Sequence, residues 1–268
     1  MSSVGMEKSS VTTARENPTL TLWRYAATYI AYGLFGIGAL GLMGFFFPVL
    51  RLIQRNKDTR QRNSRRLVCV AFRLFIAFLQ LTRVAKIQLS DLGYPPIATN
   101  GTILVANHPT LLDYVFIASQ FPDIDCVVRA GLLKNPFLRG IILSCGYLTN
   151  DAPEAIFTAC KKRFQKGSAL LIFPEGTRSV PGKNLRLHRG AAQLAVRCNI
   201  PIEVIRIDCS EFWLGKQIPW YKIPARQPVV RLSRRGKIVP SDYASKVDNS
   251  PAHISRRITE QIHILLTS

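Results

Sequence analysis

In the stretch ANHPTLLDY, an imidazole at His108 and a carboxylate at Asp113 stand five residues apart. On one continuous helix that spacing turns them about 140° from each other, so they could not meet. If His108 lies in the turn after an apolar strand and Asp113 in the first turns of the next helix, the chain folds back and the carboxylate reaches the ring. An acceptor on one ring nitrogen fixes the tautomer and makes the other nitrogen a better base. The pair then reads as a general base with its orienting acid. A structural or helix-capping pair has the same spacing, which alone does not separate the two.

A second stretch, LLIFPEGTRS, runs from apolar residues into Phe173, Pro174, Glu175, Gly176, Thr177 and Arg178. Gly176 lets the backbone approach a ligand closely, and Arg178 carries a planar, permanently charged fork of donors suited to phosphate. Glu175 is expected to orient Arg178 or a substrate hydroxyl, with Thr177 donating a further bond. The plainer alternative is a surface turn in which Glu175 and Arg178 pair with each other. No G-x-S-x-G elbow occurs, so a serine acyl-enzyme route lacks its usual carrier.

The elements that must position these residues are short β-rich runs alternating with helical patterns from about Lys86 onward. Thr102 to Asn107, Cys126 to Arg129, Ala169 to Phe173 and Ile200 to Ile207 read as buried strands. Leu111 to Gln120, Pro153 to Gln165 and Gly190 to Cys198 read as helices, and Ser250 before Pro251 starts a closing amphipathic helix. The alternation predicts an α/β fold with a largely parallel central sheet flanked by helices. Both motifs then fall just past strand ends, where such sheets place their sites. The segment from Glu211 to Pro240, with Arg226, Arg231, Arg234, Arg235 and Lys237, reads either as a basic lip beside the site or as a solvated edge strand.

Ahead of this lies a near-uncharged run from Tyr25 to Leu50, long enough for a bilayer's hydrocarbon layer. It starts too far from Met1, and lacks the small-residue cleavage site, for a removable signal peptide. A basic flank follows: Arg51, Arg55, Lys57, Arg60, Arg62, Arg65 and Arg66 against Asp58 alone. By the positive-inside rule this side is cytoplasmic, which predicts an inner (cytoplasmic) membrane location with the catalytic domain on the cytoplasmic side. Leu67 to Leu81 is apolar but too short to span; it is expected to lie in the interface or pack on the main domain. With the first segment it makes either a span or a one-leaflet hairpin. The expected division is a polar N-terminal tail at 1–24, a membrane-associating helical region at 25–85 and an α/β domain at 86–268.

The balance of 36 Lys and Arg against 16 Asp and Glu gives a formal charge of +20, which predicts an anionic partner. No helix-turn-helix, zinc-finger or RRM signature is visible, and much of the charge adjoins the apolar segment, so a phospholipid membrane is expected and nucleic acid is not. The six cysteines form no C-x-x-C pair and no His partner stands at ligand spacing; no metal is expected.

The order N-H-x-x-x-x-D, then F-P-E-G-T-R, with 67 residues from His108 to Glu175, resembles the glycerolipid acyltransferase family, in the branch that acylates 1-acylglycerol-3-phosphate and other lysophospholipids. The likeness covers roughly Lys86 to Asp208. It implies transfer of a fatty acyl group from acyl-CoA or acyl carrier protein (ACP), as co-substrate and with no cofactor, to a free hydroxyl of a lysophospholipid or related amphiphile. His108 and Asp113 would be catalytic, and Asn107 and Phe173 to Arg178 substrate-binding. A lipid-binding protein without catalysis, or a thioesterase, is the alternative on the same site. Many members carry G-x-I-F-I-D-R midway; here the stretch is GYLTND followed by Ala152, and its arginine is absent. Arg178, Arg129, Lys134 or Arg139 must then grip the acceptor's phosphate, or the acceptor is not 1-acylglycerol-3-phosphate.

Overall fold

The computed structural model describes residues 18–92, 101–150, 153–180, 182–244 and 250–268. At its centre is β2 (Ile103–Ala106), four apolar residues with no exposed surface, as a strand covered on both faces requires. Around it stand β1 (Lys86–Gln88), β3 (Ile124–Val128), β4 (Leu148–Thr149), β5 (Ala169–Ile172), β6 (Ile202–Cys209) and β7 (Val229–Ile238). Their order across the sheet is β1-β7-β6-β2-β5-β3-β4. Every pairing is parallel except β6 with β7, which is antiparallel and bulged between Val204 and Ile205. The α/β expectation therefore holds.

Strand alternation splits the core in two. Leu104, Ala106, Leu171, Ile205 and Ile207 point to one face, packed with Phe116 of α4 (Asp113–Ala118), Ala27 and Ala31 of α1 (Pro18–Gly41), and Ile76 and Leu79 of α3 (Lys57–Leu81). Ile103, Val105, Leu170, Ile202 and Val204 point to the other, under α6 (Pro153–Gln165), α7 (Gly190–Cys198) and α8 (Pro251–Thr267). The start of α8 is as expected: the Ser250 hydroxyl accepts from the His253 amide at 3.3 Å and Pro251 opens the helix. α5 (Pro136–Cys145) begins the same way, with Asn135 accepting from the amide of Phe137 at 3.0 Å.

The N-terminal region departs from expectation in two respects. Residues 1–17 of the expected tail lie outside the described residues, and from Pro18 the chain is already helical. α1 continues through a π-helical turn, Leu42–Phe46, into α2 (Phe47–Ile53). One stretch, Leu22–Ile53, is long and apolar enough to cross a membrane, and only 11% of its apolar window is buried, unlike a core helix. Leu74 and Leu81 on α3 are also exposed, while its Val68, Cys69, Ile76 and Leu79 pack inward. Phe35 packs against Phe72 and Phe75, so the two long helices form a hairpin.

The second departure is in the basic flank. Arg65 is buried: it donates to Asp123 at 2.7 Å and to the Cys145 carbonyl at 2.8 Å, and lies 3.8 Å from Asp125. Arg62 also pairs with Asp123, at 3.1 Å. Both charges tie the hairpin to the sheet domain, Arg65 buried and Arg62 still partly in solvent, because the polar face of α3 lies over the end of β3. β7 likewise is no solvated edge strand: it sits between β6 and β1, and its Arg234 makes a two-pronged bond to the buried Glu203 at 2.8 and 2.9 Å.

Candidate active site

Parallel pairing of β2 with β5, Val105 opposite Ile172, brings the two motifs to the same edge of the sheet. Asn107, at the end of β2, reaches across to β6: its carbonyl accepts from the Ile207 amide at 2.7 Å and its amide donates to the Ile207 carbonyl at 2.8 Å. This stitches the strand end to its neighbour. Both halves of the Asn107 amide are therefore engaged by backbone, while the residue also walls the neighbouring cleft.

His108 follows in the turn and Asp113 opens α4, so the chain doubles back as the spacing requires. His108 Nδ1 lies 2.7 Å from Asp113 Oδ2. The carboxylate also accepts from the Thr110 amide and the Thr110 hydroxyl, each at 2.7 Å. Asp113 has no exposed surface, whereas the His108 side chain is 21% exposed. Burial pushes the Asp113 carboxyl above its ordinary value, and the bonds from His108 and Thr110 oppose it. The Phe173 ring stacks on the imidazole, centroids 4.4 Å apart. The ring is thus fixed by carboxylate on one nitrogen and by an aromatic face.

Glu175 does not pair with Arg178, so the plain surface-turn pairing does not form. Its Oε1 accepts from the His108 amide and from the Ser179 hydroxyl, each at 2.9 Å, while the Ser179 amide donates to the His108 carbonyl at 2.7 Å. Glu175 and Ser179 lock the second motif onto the first. Burial raises the Glu175 carboxyl, again against its hydrogen bonds.

Arg178 donates through Nη1 to the carbonyls of Leu214 and Gly215, at 2.8 and 3.1 Å. The Leu214 carbonyl also accepts from the Leu111 amide at 3.1 Å. The arginine expected to face ligand therefore spends one nitrogen holding a later loop against the His108 turn.

Gly176 has φ +66°, and a β-carbon there would lie 3.5 Å from the His188 ring. Its carbonyl accepts from Arg129 at 3.0 Å. Pro174 is buried, and its carbonyl accepts from the His188 amide at 2.8 Å. Thr177 is exposed beside Gly176. A cleft of about 390 Å³ opens next to the His108 turn, walled in part by Asn107, Thr110, Ser179, Lys183, Trp213 and Ile218.

Thr110, Ser179 and the Leu214 loop were not anticipated as parts of the site. Thr110 and Ser179 carry a readable signal, a hydroxyl inside or directly after a motif. Leu214 carries none, because its part is played by backbone at φ +52°. The GYLTND stretch ends α5 at Gly146 and forms β4 beside β3. Asn150 accepts from the Ala130 amide at 3.0 Å, so Arg129 lies on the strand end next to it. Asp151 and Ala152 lie outside the described residues. Among the described residues no three His, Cys, Asp or Glu gather as metal ligands. Cys69, Cys126, Cys145 and Cys160 are buried and unbridged, with burial pushing Cys145 and Cys160 up to about 12.

Residues 86–208 match the family model described as Acyltransferase. The chain is similar to a 1-acyl-sn-glycerol-3-phosphate acyltransferase of Helicobacter pylori, 28% identical over 63% of this chain and 70% of that protein. It is similar also to one of Pseudomonas aeruginosa, 27% identical over 56% of this chain and 60% of that protein. The fold resembles the solved 1-acyl-sn-glycerophosphate acyltransferase PlsC of Thermotoga maritima, with a TM-score of 0.64, 17% identity, and 92% of this chain and 97% of that one covered. The NHxxxxD and FPEGTR turns joined at one sheet edge lie within the stretch, residues 86–208, that matches the acyltransferase family, and the relatives support its glycerolipid branch.

Proposed function

We propose that the protein is a membrane-bound O-acyltransferase that moves a fatty acyl group from acyl-CoA or acyl-ACP to the free hydroxyl of 1-acylglycerol-3-phosphate. The observation that carries this reading is the 2.7 Å contact between His108 Nδ1 and a fully buried Asp113 at the rim of the sheet. A carboxylate on Nδ1 leaves the Nε2 lone pair as the acceptor. His108 takes the proton of the lipid hydroxyl through Nε2 as the oxygen adds to the thioester carbonyl. The tetrahedral intermediate collapses with loss of thiolate, and the imidazolium returns the proton to sulfur. No covalent enzyme intermediate and no cofactor is needed.

The acceptor's phosphate is held by Arg129 and Arg178. Each guanidinium has five N–H donors. Arg129 uses Nη2 on Gly176, and Arg178 uses Nη1 on the Leu214 loop. Such anchoring orients the remaining donors at low entropic cost. Arg129 then supplies the charge that the GYLTND stretch lacks. Gly176 and Thr177 line the approach, while Asn107, Phe173, Pro174 and Glu175 hold the site's shape. The apolar hairpin enters the inner membrane from its cytoplasmic side, keeping His108 near the lipid hydroxyl.

The test is an assay of thiol release and lipid product with purified full-length protein, a panel of lysolipid acceptors, and CoA and ACP thioesters. Phosphatidate formed from 1-acylglycerol-3-phosphate is the expected result. Acyl release to water alone would replace this reading by a thioesterase.

A further inference from the structure

A segment outside the motifs, residues 210–226, lies along α1 and presents aromatic and basic side chains together. Phe212, Trp220 and Tyr221 are 69, 58 and 55% exposed, and Lys216, Lys222 and Arg226 are exposed among them. The segment is fastened to the apolar helix. Arg24 of α1, only 2% exposed, donates to three successive carbonyls, Pro224 at 2.8 Å, Ala225 at 3.0 Å and Arg226 at 2.7 Å. Two turns further along α1, Tyr32 donates to the Trp220 carbonyl at 2.6 Å, and the two rings meet edge to face at 5.5 Å. Eight residues of helix separate these fastenings, roughly 12 Å along the axis. The exposed Trp23, Tyr25 and Tyr29 flank the same stretch of α1.

Large aromatic side chains left in water beside lysines are costly unless covered. Aromatic rings with basic neighbours at one level are the composition of a bilayer's headgroup boundary. Resting on the membrane reading above, we infer that residues 210–226 form a second membrane contact. In it Phe212, Trp220 and Tyr221 insert at the interface of an anionic phospholipid bilayer, and Lys216, Lys222 and Arg226 meet its headgroups. The contact is continuous with the exposed apolar face of α1, and its charge complements the lipid. Its inner end is the Leu214–Gly215 backbone held by Arg178, so the bilayer surface sits one loop away from the proposed phosphate grip.

Tryptophan quenching by interfacially brominated lipid tests this with the full chain on phosphatidylcholine vesicles with and without phosphatidylglycerol. The chain has three tryptophans. Trp220→Phe, which keeps an aromatic against Tyr32, is expected to lose a large share of the quenching. Lys216→Gln and Lys222→Gln are each expected to weaken binding to the anionic vesicles about fivefold, the size of one basic side chain at such a surface, with no change on neutral ones. Undiminished quenching in Trp220→Phe, with vesicle binding intact, would overturn the loop contact and leave α1 as the membrane element. No binding to any vesicle would overturn both.

Discussion

Glu175 and Asp113 are two carboxylates whose burial raises the cost of their charge, and in both the hydrogen bonds to the His108 turn oppose that rise. For Glu175 the raised folded-state pKa means that its contribution to stability is greatest in acid and is lost as pH rises through that value. Glu175→Gln keeps an acceptor for the His108 amide and removes that charge. The variant is therefore expected to gain melting temperature relative to the parent from acid to neutral pH; a constant difference across that range would contradict the assignment. Arg129→Ala should raise KM for 1-acylglycerol-3-phosphate about tenfold, the size of a lost charge-assisted bond, and leave KM for acyl-CoA unchanged. The residue types at 108, 113 and 175 to 178 were legible because side-chain chemistry limits what each can do. The partner choices were not: Glu175 bonds His108 rather than Arg178 because strand pairing sets their distance, and a one-dimensional spacing of 67 residues does not.

Elements were legible where pattern and chemistry agree. β2, β5, α6 and α7 have apolar runs or first-turn proline at their expected places, and Ser250 caps α8 as its side chain predicts. The solvated-edge alternative for β7 fails because Arg234, which looks like a solvent-facing residue, is satisfied by Glu203 one strand away. The same holds for α3, where Arg65 meets Asp123 and Asp125. Burial raises the Asp125 carboxyl, and Arg163 and Arg65 counter it. Removing one partner from such a buried group leaves uncompensated charge. Arg65→Met is expected to cost about 3 kcal/mol of unfolding free energy, read as a lower denaturant midpoint with unchanged slope. A loss no larger than that of an exposed Arg66→Met control would show that the network contributes nothing.

At the scale of the whole molecule, a chain of formal charge +20 packs its apolar hairpin against the sheet that carries both motifs. α1 and α3 share the core beneath α4, so the long apolar helices and the His108 turn are parts of one packed body. The sequence left this coupling as one of two alternatives for Leu67 to Leu81, because an apolar run does not say whether lipid or the sheet covers it. The central claim is that His108, oriented by Asp113, takes the proton of a lipid hydroxyl. It is tested most directly by single-turnover phosphatidate formation from 1-acylglycerol-3-phosphate and acyl-CoA in parent and His108→Ala proteins of equal melting temperature. Loss of a general base predicts a rate at least about 100-fold lower in the variant; a rate close to the parent's would contradict the account.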